Sequence, residues 1–263
     1  MPRALRSFAG FFTAGAAGTN AATLVAGGTG TLAVDAFSSG NCYLEQLWSS
    51  GATTDFVRVR SPRMHDANQG LRLEVGTTQR TNLLPWGLDA QVYSSDVPVY
   101  EIDATGAGSG VIVGTYGYDD LGSGSGLNLA NWSEIQPRIQ DVMANTFTVT
   151  AGAIGSWGVG VALNNATDNM KADNQYALLG YVCSAGVAAF ALNGTDTGNF
   201  DIAFPGDPDS RETRNYFINL SNTSGRAAIP VIQSNNRAGT IIKSTDSTAA
   251  TASTVALILA RLG

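Results

Sequence analysis

Lysine is almost missing from this chain: Lys171 and Lys243 are the only two, and the rest of the 15 basic residues are arginines. No basic run is long enough to follow a phosphate backbone, and the net charge of −6 opposes one, so direct nucleic-acid binding is not expected. Charge of either sign is also scarce. It amounts to 14% of residues, where an average soluble domain has about 25%. The surface must therefore be neutral and polar, or buried against partners. The single histidine, His65, sits in the polar loop Pro62–Asn68 beside Asp66. Sequence neighbours rarely form a catalytic triad, so it reads as a solvated loop residue. Neither a GxSxG elbow nor an HExxH helix occurs, and the expectation is a protein that is not an enzyme. Cys42 and Cys183 form no CxxC motif and no disulfide framework, and read as two packed thiols of a protein made in the cytoplasm. No apolar run approaches the roughly 18 residues of a membrane-spanning helix.

What the chain has is glycine, 31 residues of 263, and period-2 alternation. Val57-Arg58-Val59-Arg60 and Leu71-Arg72-Leu73-Glu74-Val75 put apolar groups on one face and charge on the other, the pattern of a strand with one wet face. Trp157, Val159, Val161 and Leu163 alternate with Gly158, Gly160 and Ala162, which predicts a strand closely packed on its small face. Val111-Ile112-Val113 and Val255-Ala256-Leu257-Ile258-Leu259 are apolar on both faces, as in central strands of a sandwich. One helix is expected, with Pro137 at its first position and Ile135, Ile139, Val142 and Met143 at helical spacing. It follows the flexible spacer Gly122-Ser123-Gly124-Ser125-Gly126.

That helix and spacer separate two similar halves. Tyr43 matches Tyr176, Phe56 matches Phe190, Arg80 matches Arg214, Asn82 matches Asn215 and Pro98 matches Pro230, all at spacings close to 133 residues. Leu71–Gly76 parallels Phe200–Gly206, and Val111–Tyr118 parallels Val255–Leu262. A duplicated β domain explains this order. The expected division is an N-terminal arm 1–19, a first sandwich 20–118, a linker with a short helix 119–145, and a second sandwich 146–263.

Candidate ligand sites are few. Asp207, Asp209 and Glu212 have a spacing that suits a structural Ca²⁺, although Gly206 and Pro208 make the segment equally a plain turn. Asp119-Asp120 is a weaker case of the same kind. Gly106-Ala107-Gly108-Ser109-Gly110 lacks a following helix, so it reads as a hairpin turn and not a dinucleotide loop. Trp48, Trp86, Trp132 and Trp157 could line a sugar-binding face, but large rings in β sandwiches mostly pack in cores and interfaces.

The duplicated order around Tyr43/Tyr176, Asn82/Asn215 and Pro98/Pro230, the helical link and the missing catalytic set resemble one family. It is that of the double jelly-roll major capsid proteins of tailless icosahedral bacteriophages of the corticovirus and tectivirus kind. The resemblance implies an all-β chain of two tandem jelly-roll sandwiches. It also implies homotrimers as pseudo-hexagonal tiles of an icosahedral virion, lateral contacts between capsomers and with other virion proteins, and no cofactor. The alternatives are a carbohydrate-binding or adhesive β-sandwich protein, a tail or decoration protein of a tailed phage, and a β-sandwich hydrolase with a carboxylate pair.

The N-terminus has its own reading. Gly10 and Thr13 break the apolar run, which argues against a cleaved signal peptide. Leu5, Phe8 and Phe12 would share one face of a short helix, with Phe11 close to it. With Arg3 and Arg6 they are expected to contact either an internal lipid membrane or a neighbouring subunit on the inner face of the shell.

Overall fold

The computed structural model describes residues 4–21, 42–50, 54–63, 70–74, 90–93, 96, 98–119, 128–153, 155–165, 169–199, 201–206, 213–246 and 252–263. The first half contributes β1 (Ala4–Ala14), β2 (Gly18–Ala21), β3 (Cys42–Ser50), β4 (Thr54–Arg60), β5 (Leu71–Glu74), β6 (Ala90–Val92), β7 (Val99–Ala104) and β8 (Gly108–Tyr118). The second contributes β9 (Leu129–Ala130), α1 (Trp132–Ile135), β10 (Ile139–Thr150), β11 (Val161–Ala162), β12 (Gln175–Cys183), β13 (Val187–Asn193), β14 (Ile202–Pro205), α2 (Tyr216–Ser224), β15 (Ile229–Gln233), β16 (Ile241–Asp246) and β17 (Ala252–Leu262).

The strands form four antiparallel sheets, so the protein is all-β in class. In the first half the orders are β1-β8-β3-β6 and β2-β7-β4-β5. In the second they are β10-β17-β12-β15, extended by β9, and β11-β16-β13-β14. Advancing each first-half strand by nine gives the second-half order, so the topology is repeated strand for strand. Even the irregularities recur. A register shift lies between Leu44 and Gln46 of β3 and between Leu178 and Gly180 of β12, each against the long strand β8 or β17. Another lies between Thr54 and Phe56 of β4 and between Val187 and Ala189 of β13.

The residue-level matching does not follow the topology. Tyr43 and Tyr176 are both the second residue of equivalent strands. Yet Tyr176 is fully buried in the core of its own half, whereas Tyr43 is half-buried beside Arg226 of the other half. Val111 and Val255 are split in the same way. Val255 lies in the second-half core and Val111 on the outer face of its sheet, against alanines of the second half. A one-residue slip reverses every side chain of a strand, so equal strand order does not preserve equal faces. Pro98 immediately precedes β7 whereas Pro230 lies within β15, so these two prolines are not equivalent. Arg80 and Asn82 lie outside the described residues, as does the 122–126 spacer.

The expected helix is mostly strand. α1 covers four residues and passes into a 3₁₀ turn, Gln136–Arg138, which contains Pro137. The backbone N–H of Asn131 donates to Glu134 Oε2 at 2.9 Å, half of a capping box. From Ile139 the chain pairs with β17, and Asn145, Phe147 and Val149 turn inward at period 2. Cross-strand pairing has overridden the helical spacing of Ile139, Val142 and Met143, so the second sandwich begins inside the stretch 119–145 expected to be a linker. The strand expected over 157–163 reduces to β11 and one bridge, Thr150 to Val159. Here Gly152 and Gly158 both donate their N–H to Ser244 O, at 3.0 and 2.9 Å. The expected hairpin turn at 106–110 is not found: the chain bends at 105–107, Gly108–Gly110 already belong to β8, and β7 and β8 lie in different sheets.

Each half buries its own core. In the second, Tyr181 meets Phe190, Phe204, Tyr216 and Phe217, bringing α2 over the end of β12. Gly180 permits this cover, since a Cβ there would stand 2.0 Å from Arg214 O. In the first, Phe8 stacks on Tyr116 at 4.7 Å and leans on Tyr100 of the facing sheet at 5.4 Å. Gly114, opposite Phe8 in the ladder, leaves room for that ring.

Candidate functional site

The N-terminal segment builds the contact between the halves. It is the edge strand β1 of a sheet, and its alternation gives it two jobs. Phe8 and Phe12 point into the first core, where Arg6 is half-buried near Tyr116 and Tyr118, and burial lowers its pKa. Leu5, Ala9 and Phe11 point the other way, into the second half. This corrects the helical reading, and with it the arm 1–19: β1 and β2 are integral to the first pair of sheets. The apolar groups Leu5, Phe8, Phe11 and Phe12 are all buried within the chain. An exposed anchoring face of these residues is therefore not present, and the reason is the same period-2 pairing along β8. Arg3 lies outside the described residues.

The seam itself is made of small groups. Ala9, Phe11, Val111 and Val113 pack on Ala188, Ala189, Ala191 and Ala203 of β13 and β14. Alanine on the outer side of that sheet lets two sheets approach while Phe190, Leu192, Ile202 and Phe204 on the inner side fill the second core. Phe11 meets Trp157 edge to face at 5.1 Å. Ser7 and Thr115, paired across β1 and β8, share a buried hydroxyl bond of 3.1 Å, so their polar groups are satisfied. The Leu5 N–H donates to Ala227 O at 3.0 Å.

Arg226, just past the left-handed Gly225 that ends α2, closes one end of the seam. Its guanidinium lies 3.3 Å from Glu45 and 3.0 Å from Asp119, and 5.8 Å from the Tyr43 ring centre. Two carboxylates of the first half thus converge on one cation of the second. Asp119, read as a weak metal ligand from sequence, is an ion-pair partner here. Sequence reasoning missed Arg226 and Glu45, because a lone arginine in a polar loop carries no pattern. The alanine face was visible as the small residues in Val187–Leu192.

The remaining candidates separate. His65, Trp86, Asp207, Asp209 and Glu212 lie outside the described residues. Trp132 and Trp157 are half-buried on different sides of the second half, Trp157 in the seam. They form no common platform. No group of three or more His, Cys, Asp or Glu suited to a metal occurs among the described residues.

Two titrating groups have measurable consequences. On the outer face of β4 and β7, Glu101 accepts from Arg60 at 3.0 and 3.1 Å and pairs with Arg58. Hydrogen bonding from Arg60, aided by Arg58, holds its carboxyl below the ordinary range despite burial. A depressed folded pKa stabilises above the unfolded value, about 4.3 for glutamate, and that stability is lost as pH falls through the folded value. We predict that urea midpoints measured from neutrality downward fall below that pH, and that Glu101→Gln removes this component and lowers the neutral midpoint. An unchanged slope in the variant would refute the assignment. Cys42 is fully buried, and burial pushes its thiol up to about 12. We predict that Ellman's reagent at pH 8 modifies Cys183 in the native protein and reaches Cys42 only on unfolding.

No known family model matches this sequence, and no curated protein matches it. Among solved structures the chain is similar to the major capsid protein P2 from bacteriophage PM2, at 11% identity, 98% coverage of each chain and a TM-score of 0.23. Strand order and burial, and not this likeness, bear on what the chain does.

Proposed function

We propose that this chain is a non-catalytic viral coat subunit: two tandem jelly rolls that associate as homotrimers into pseudo-hexagonal tiles of an icosahedral virion. One observation carries the reading. The orders 1-8-3-6 and 2-7-4-5 put every successive pair of strands in different sheets except β4 and β5, which pair as a hairpin; this matches the winding expected of an eight-stranded jelly roll, and the second half has the same order. Two such units joined through a buried seam would form one block. Three blocks of two units imitate six-fold packing, an economical way to tile a closed surface. The low charge fraction of 14% suits extensive lateral burial, because few ions need desolvating.

The decisive experiment is electron microscopy of the purified full chain with sedimentation analysis in parallel. Shells, hexagonal tiles or trimers are expected. A species that stays monomeric at high concentration and forms none of these would refute the coat-subunit reading.

A further inference from the structure

We propose that the outer face of β10 and β17 docks on the outer face of β4 and β7 of a second copy of this chain, repeating between chains the seam found within one. This rests on the coat-subunit reading, which requires association but does not say through which faces.

Because strand order is duplicated, each half owns two outer faces of equivalent kinds. Within the chain, the outer face of β1 and β8 is already covered by β13 and β14. One face of each kind is then left over. The first is the outer side of β10 and β17, the counterpart of β1 and β8. The second is the outer side of β4 and β7, the counterpart of β13 and β16.

The leftover β10–β17 face has the chemistry of the one already buried. Val142, Ala144, Thr146, Thr148 and Thr150 are exposed along β10, with Thr254 exposed opposite Thr148. Val142 is 53% exposed, unusual for a large aliphatic group. None of the six is charged, just as no charge occurs among Leu5, Ser7, Ala9 and Phe11 on the covered face.

The opposing faces also correspond. In the seam, the β13–β16 side carries one self-compensated ion pair, Lys243 with Asp201 at 2.7 Å. The β4–β7 side carries the Arg58–Glu101–Arg60 cluster, in which one carboxylate holds two guanidiniums and one positive charge is left over. The hydroxyl oxygens of an uncharged threonine face can accept from the guanidinium N–H groups that Glu101 leaves over, and the face brings no second cation against them. The two docking faces differ, so the contact is head to tail. Each chain offers one of each, and association proceeds to a closed ring and does not stop at a two-fold dimer.

The test uses the full chain. Thr148→Lys places a cation in the centre of the proposed contact, against the net-positive arginine cluster, and Thr195→Lys places one in an exposed turn on neither face. Light scattering should show loss of association for the first and normal association for the second, with circular dichroism and melting unchanged in both. Thr148→Cys provides a milder probe: its maleimide labelling should be fast in dilute monomer and suppressed in the associated state. If Thr148→Lys associates like the parent, or Thr148→Cys labels equally fast in both states, this interface is wrong while the coat-subunit reading stands. If the parent itself never associates, that reading fails and the proposal falls with it.

Discussion

Tyr181→Ala is expected to lower the unfolding free energy by about 3–5 kcal/mol, the range for removing a fully buried aromatic ring. Tyr181 is at the centre of the second half's aromatic cluster. Phe190 lies 4.6 Å away, Tyr216 5.5 Å, Phe204 6.2 Å and Phe217 6.3 Å, centre to centre. The ring therefore connects three elements, β13, β14 and α2, to the strand that carries it. Its hydroxyl donates to Pro205 O at 2.6 Å, in a buried setting. Tyr181→Phe keeps the ring and strands that carbonyl, so its cost is expected at about 1–3 kcal/mol. Guanidinium unfolding of the three proteins gives both differences. If alanine proves no worse than phenylalanine, the cluster collapses around the gap and the ring does not organise α2.

How far this architecture could be read in advance depends on the element. Val57 and Val59 alternate with arginines and lie at 0% exposure, so a one-sided strand announced itself. The doubly apolar runs in β8 and β17 did mark central strands of their sheets, although only β8 is covered on both faces and the outer face of β17 is partly exposed. The duplication was also legible, though through spacing and not through equivalent residues. Where Tyr43 and Tyr176 agreed in position they disagreed in face, since a one-residue slip costs sequence nothing and inverts the strand. The N-terminus failed for a related reason. Leu5, Phe8 and Phe12 fit a helical face, but the competing pattern Leu5, Ser7, Ala9, Phe11 against Arg6, Phe8, Gly10, Phe12 fits a strand buried on both sides. A short apolar run contains both periods, and only β8, roughly a hundred residues away, decides between them. The candidate site depended on such distant pairing throughout. Nothing local to Arg226 indicates that two carboxylates of the other half converge on it.

That convergence gives the second large effect. Arg226→Ala is expected to cost about 3–5 kcal/mol, the penalty for leaving a buried ionic group without its partner. Side-chain exposures of 10% for Arg226 and 12% for Glu45 place this pair well out of water, while Asp119 at 27% is better solvated. Most of the loss should therefore trace to Glu45. A double-mutant cycle isolates it: Arg226→Ala and Glu45→Gln should each destabilise, and together by clearly less than their sum, with a coupling of about 0.5–3 kcal/mol. The same cycle with Asp119→Asn should give a smaller coupling. Arg226→Lys keeps the charge but has one compact ammonium where a planar fork had reached two carboxylates, so it should recover only part of the loss. The position of the loss matters as much as its size. Arg226 joins the halves and fills neither core, so its removal should loosen the seam first. Hydrogen exchange should then rise in β1 and around Ala227, where the Leu5 N–H is held, before it rises in β12 or β17. Uniform acceleration across both halves, or additive mutants in the Glu45 cycle, would mean that the seam is held by its alanine and aromatic contacts alone.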